Sequence, residues 1–115
     1  MGAANTTVRN SNEYQEILGR HPVVFALFVS NSCPACVEAT PRFKRIAISY
    51  DDRVKSIVLN LADTPKLDEL INEVTGTPTL LVYQNGQVIK NLKGLGDPEE
   101  QEEELHTLFR LYADT

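Results

Sequence analysis

The chain has no apolar run approaching the roughly 18–20 residues that span a bilayer, so no membrane partner is expected. It has no cluster of lysine and arginine, and its formal net charge is −5. Nucleic-acid affinity is dominated by neutralisation of phosphates, so this balance argues against a nucleic-acid binder and against an anionic membrane surface. The opening stretch, MGAANTTVRNSNEY, shows no basic region followed by an apolar segment and a small-residue cleavage site. The location expected from that absence is the cytoplasm. Cysteine is scarce too: the chain has two, Cys33 and Cys36. Three positions apart, they close almost no loop. A bridge between them would stabilise little, which excludes a disulfide-stapled scaffold.

What is present is an ordinary globular balance. With 115 residues, 42% of them apolar and 23% charged, the chain suits one domain over residues 1–115, expected as a monomer. There is no internal repeat, and the acidic run Glu99–Glu104 reads as a solvated face.

Periodicity places the elements. Thr6–Arg9 is β-branched and suits a short edge strand. SNEYQEILGR reads as a helix with Ser11 at its start and Tyr14, Ile17 and Leu18 on one face. Pro22–Ser30 is apolar without alternation, as in a central strand covered on both faces. From the cysteines onward, Cys36, Ala39, Phe43, Ile46, Ala47 and Tyr50 recur at helical spacing, with Pro41 inside the helix, where a kink is expected. Val54–Leu61 reads as a second buried strand. Thr64 then caps a helix that starts at Pro65 and buries Leu67, Leu70, Ile71 and Val74. TLLVYQNGQVIKNL is two strands joined at Asn85-Gly86, the residues of a type I′ hairpin turn. The last helix has Asp97 as cap, Pro98 at its start, glutamates in its first turns, and Leu105, Leu108, Phe109 and Tyr112 as its buried stripe. The order predicts an α/β fold: a mixed sheet of four to five strands with helices on both faces.

The stretch SNSCPACVEATPRF carries the chemistry. By themselves Cys33 and Cys36 suit a redox pair, half of a metal site shared between two chains, or two inert core thiols. Within one chain the only histidines, His21 and His106, are both distant in sequence from the pair, so the motif itself offers zinc two of its usual four ligands; no metal or other cofactor is expected.

Together the features resemble the thioredoxin family over nearly the whole chain. A buried strand leads into Cys33-Pro34-Ala35-Cys36, which opens a helix. Pro41 stands where the family kinks that helix. Thr77-Pro78-Thr79 stands at the family's cis-proline loop, the Asn85-Gly86 hairpin follows, and Gly94 comes after the last strand. The resemblance implies a thiol–disulfide oxidoreductase that exchanges disulfides with protein substrates, drawing electrons from a thiol or reductase donor. It further implies Cys33 as the exposed attacking thiol and Cys36 as the more buried resolving one. A helix start favours the thiolate, the nucleophile of disulfide exchange. Pro34, Ala35, Thr77, Pro78 and Gly94 are then the expected substrate-binding positions. Asn31 and Ser32 suit either substrate contact or loop surface.

The chain also departs from the family. Ser32 replaces the usual aromatic residue before the first cysteine, Leu27 the usual buried carboxylate, and Val58 the lysine that often neighbours that carboxylate. The Pro-Ala pair is closer to the Cys-Pro-x-Cys of glutaredoxins and periplasmic oxidases. A thioredoxin-fold interaction module without turnover is the competing reading.

Overall fold

The fold was obtained as a computed structural model, which describes residues 11–50, 53–60, 77–94 and 98–113. In chain order it comprises α1 (Ser11–Arg20), β1 (Val23–Val29), α2 (Pro34–Ile48), β2 (Lys55–Asn60), β3 (Thr79–Gln84), β4 (Gln87–Lys93) and α3 (Pro98–Ala113). The expected strand over residues 6–9, the helix opening at Thr64 and Pro65, and the cap at Asp97 lie outside the described residues.

The strands form one mixed sheet in the order β2-β1-β3-β4. β1 runs parallel to β2 and antiparallel to β3, so it sits inside the sheet. Its seven residues, Val23 to Val29, are all buried, because both of its faces are covered. Phe25, Leu27 and Val29 face one cluster, with Ala39, Phe43, Ile46 and Ala47 of α2 and Leu105 and Phe109 of α3. Val24, Ala26 and Phe28 face the other, with Tyr14 and Leu18 of α1. The unbroken apolar run of the sequence is thus the mark of a strand sandwiched between helices.

Aromatic stacking joins the first cluster. Phe25 and Phe109 stack at 4.2 Å between ring centroids, and Tyr50 stacks on Phe109 at 5.2 Å. Each fully buried phenylalanine contributes about 1.5–3 kcal/mol by removal of apolar surface from water. Across the sheet, Tyr14 donates its buried hydroxyl to Tyr83 at 2.6 Å, which holds α1 on β3.

The hairpin forms as its residues dictate. Gln84 pairs with Gln87, and the two residues between them, Asn85 and Gly86, have φ of 54° and 84°. Left-handed φ at both turn positions is what asparagine and glycine tolerate.

The acidic run needs a correction. Glu99, Glu100, Glu103 and Glu104 are exposed, but Gln101 within the run is 4% exposed. Arg42 of α2 donates to its side-chain carbonyl at 2.7 Å, and Arg45 donates to Glu102 at 2.6 Å. One side of the run is therefore a polar seam between α2 and α3, where two arginines one turn apart meet two acceptors.

Candidate active site

The chain leaves β1 at Val29 and reaches Cys33 through Ser30, Asn31 and Ser32. Cys33 is the N-cap of α2, with φ −107° and ψ 101°, and Pro34 follows at the first helical position. Proline suits that place because its missing N–H would have no helical partner there and its φ is already helical. Beyond it, α2 continues through Pro41 to Ile48.

Cys33 and Cys36 are joined in a disulfide. The backbone N–H of Cys36 points at Cys33 Sγ, 3.1 Å away, and also at the Cys33 carbonyl oxygen, likewise 3.1 Å away. Cys33 Sγ therefore stands where a helix N-terminus presents its free N–H groups, the arrangement that favours a thiolate there once the bond is reduced. Pro34 and Ala35 are exposed between the two cysteines.

The expectation of an exposed Cys33 needs revision. Cys33 is 8% exposed and Cys36 is 4% exposed, so the order is kept but the contrast is slight. Both belong to the cluster beneath α2, because capping the helix draws Cys33 down onto the sheet. Leu27 lies in that same cluster, fully buried, and its parallel-register partner is Val58. No group that titrates occupies those two positions.

The loop before β3 carries two of the other residues expected at the site, Thr77 and Pro78. The Thr77–Pro78 peptide bond is cis. The Pro78 carbonyl accepts a hydrogen bond from the Gly94 N–H at 2.7 Å, and Gly94 has φ of +76°, a conformation natural to glycine. Thr77, Pro78 and Gly94 are thus brought together, though up to seventeen positions separate them in the chain.

Ser30 links the segment before Cys33 to the loop before β3. Its Oγ lies 3.1 Å from Thr77 Oγ1, part-buried. On the other flank of the segment before Cys33, Asn60 Nδ2 donates to Asn31 Oδ1 at 2.8 Å, so Asn31 is engaged at the end of β2. Sequence reasoning missed Ser30 and Asn60. Their only signal was a polar residue at the end of an apolar strand, and nothing in the chain names its partner.

His21 and His106 stand apart from the cysteines. His21 precedes β1, and burial together with the neighbouring Lys55 and Arg20 holds its pKa below the usual 6.5. His106 lies on α3, its Nδ1 3.4 Å from the Tyr50 hydroxyl. Among the described residues no three histidine, cysteine, aspartate or glutamate side chains gather as metal ligands. Among them, too, no helix is long and apolar enough to cross a membrane.

Comparison with known proteins agrees with this geometry. The family model described as Thioredoxin matches residues 5–107. A thioredoxin of Alicyclobacillus acidocaldarius subsp. acidocaldarius is 26% identical over 102 residues, covering 89% of this chain and 95% of that protein. The crystal structure of Malassezia sympodialis thioredoxin superposes with a TM-score of 0.82 at 18% identity, covering 98% of this chain and 93% of that one. The thioredoxin of Plasmodium falciparum gives a TM-score of 0.77 at 23% identity, over 91% of this chain and 96% of the other. At these identities the two structures bear on the fold.

Proposed function

The chain belongs to the thioredoxin family and is a thiol–disulfide oxidoreductase with a Cys33–Cys36 pair, and on that premise we propose that it reduces disulfides in protein substrates. The observation that carries the reading is the Cys33–Cys36 disulfide at the start of α2, with the Cys36 N–H aimed at Cys33 Sγ.

The reaction runs in two exchanges. In the reduced protein Cys33, as thiolate, attacks one sulfur of a substrate disulfide. The other substrate sulfur leaves as a thiolate and takes up a proton, which leaves Cys33 joined to the substrate. Cys36 then loses its proton and attacks Cys33 Sγ, and the second substrate thiol is released. Two electrons pass to the substrate, and the Cys33–Cys36 disulfide remains. A thiol or reductase donor returns two electrons to it.

Pro34 and Ala35 are exposed between the two cysteines, and we assign the linked residues Thr77, Pro78 and Gly94, of which Pro78 is buried, as the other side of the substrate site. An extended substrate segment pairs with the backbone there, as a strand adds to a sheet edge. We read residues 1–115 as a single domain acting as a monomer in the cytoplasm.

Insulin reduction with dithiothreitol tests the proposal. The wild type is expected to accelerate precipitation of the insulin chains, and Cys33→Ser to abolish the acceleration. A wild type no faster than dithiothreitol alone would favour an interaction module without turnover.

A further inference from the structure

The backbone pairing of β1 ends with Val29 opposite Asn60 on one flank and Phe28 opposite Thr79 on the other. The next two residues extend the sheet with side chains instead. Ser30 meets Thr77 at 3.1 Å, and Asn31 accepts from Asn60 at 2.8 Å. The segment that carries the chain from β1 to Cys33 is therefore tied on both sides. The two ties differ in what they reach. The Asn31–Asn60 bond is exposed and goes to the end of β2. The Ser30–Thr77 pair is part-buried and goes to the residue before Pro78, whose carbonyl is in turn held by Gly94.

We infer that Ser30 is a positioning residue for disulfide exchange with protein substrates: its hydroxyl pair with Thr77 holds the loop before Cys33 in fixed register with the Thr77–Pro78 loop. The inference rests on the reading of this site as a reductase of protein disulfides. A substrate segment lying against Thr77 must bring its sulfur in line with Cys33 Sγ, so the relative placement of the two loops decides the attack geometry. Small errors of placement are costly in such reactions. Each hydroxyl can donate one hydrogen bond and accept two, so the pair forms with either as donor. A small disulfide has no segment to lay against Thr77 and needs only to reach Cys33. Loss of the tie should thus slow the protein substrate more than the small one.

The experiment measures single-turnover rate constants of the pre-reduced protein with insulin and with 5,5′-dithiobis(2-nitrobenzoate). The readout is their ratio, in the wild type, Ser30→Ala, Ser30→Thr, Thr77→Val, the double variant Ser30→Ala with Thr77→Val, and Asn60→Ala. Ser30→Ala is expected to lower the insulin-to-small-disulfide ratio about three- to tenfold, the scale of one lost hydrogen bond. Ser30→Thr keeps the hydroxyl and restores the ratio. Thr77→Val lowers it as Ser30→Ala does, and the double variant is no worse than either single one, because both remove one interaction. Asn60→Ala loosens the same loop from the other flank and keeps the wild-type ratio.

A wild-type ratio in both Ser30→Ala and Thr77→Val overturns the inference, as does a fall in Asn60→Ala equal to theirs, which would mark general loop stiffness. Should Ser30→Ala fail to fold, Thr77→Val removes the same bond from its other end. A wild type that reduces neither disulfide overturns the underlying reading and this inference with it. A wild type that reduces both, with ratios that never move, overturns the inference alone.

Discussion

Leu27 and Val58 lie side by side as partners in the parallel register of β1 and β2, in the cluster that also holds Cys36 of α2. Neither side chain can take a proton. Resolution of the mixed disulfide requires Cys36 to ionise where apolar surroundings oppose a charge. Neither position supplies the base for that step, and water or a group of the substrate is expected to serve instead.

Leu27→Asp probes this arrangement. Leu27 is fully buried, and a carboxylate there would be desolvated without a partner. A stability loss of about 2–5 kcal/mol is expected, read from the denaturant midpoint. In the folded fraction the new carboxyl is expected to speed the resolving step, followed as release of the second substrate thiol. An unchanged midpoint would show that the site is more open to water than its packing indicates.

Labelling of the reduced protein tests the roles of the two cysteines. Cys33 Sγ stands at the start of α2 and receives the Cys36 N–H, so it should carry the thiolate. Brief iodoacetamide treatment near neutral pH is expected to alkylate Cys33 several-fold faster than Cys36, read by peptide mass spectrometry. Ionisation is expected to set the difference, which should then shrink as pH rises and both thiols ionise. Faster labelling of Cys36 would reverse the assignment.

The poise of the pair is expected to be more oxidising than that of an ordinary thioredoxin. The ground for this is Pro34-Ala35, which makes the site closer to the Cys-Pro-x-Cys of glutaredoxins and periplasmic oxidases, whose potentials lie above thioredoxin's. Equilibration against a glutathione buffer should give a value between about −240 and −180 mV. A value near or below about −270 mV would show that Pro34-Ala35 does not set the poise.

Gly94→Ala separates backbone strain from crowding. A Cβ at Gly94 meets nothing within 4 Å, yet the residue has φ of +76°. The expected loss is about 1–2 kcal/mol, the cost of a left-handed conformation for an L-residue with a side chain. Gly86→Ala, at φ of +84° and equally uncrowded, should lose a similar amount. Only Gly94→Ala should also slow insulin reduction, since Gly94 holds the Pro78 carbonyl.

His21 makes stability depend on pH in one direction. Its pKa in the folded chain lies below 6.5, so between those two values the unfolded chain binds more protons. Its share of stability is therefore whole above pH 6.5 and is lost as pH falls toward the folded value. Glu102, held below its usual 4.5 by Arg45, acts at lower pH with the same sign, weakly because the pair is exposed to solvent. Thermal midpoints across pH 5–8 should fall toward the acid end, about pH 5. His21→Gln should flatten the slope just below neutrality, and an unaltered slope would assign it to other groups.

The sequence by itself determined the parts whose cause is local. Asn85-Gly86 makes the hairpin because both positions need left-handed backbone, and the all-apolar run of β1 requires cover on both faces. Cys33-Pro34-Ala35-Cys36 opens α2 because proline suits a first helical turn, and the helical spacing of Ala39, Phe43 and Ile46 already marked the face that α2 buries. The tertiary structure alone decided which distant side chains meet. Ser30 and Thr77 are 47 positions apart, and Arg42 and Gln101 are 59 apart. No periodicity in the chain relates them. Their contact depends on β1 pairing with β3 and on α2 packing beside α3, which put the two members of each pair within hydrogen-bond reach. The slight exposure of Cys33 has the same origin, since a helix start looks open in sequence and closes only when the helix settles on its sheet. Local sterics act within a few residues of the chain, whereas burial and side-chain partnership are properties of surfaces that exist only after the chain has folded.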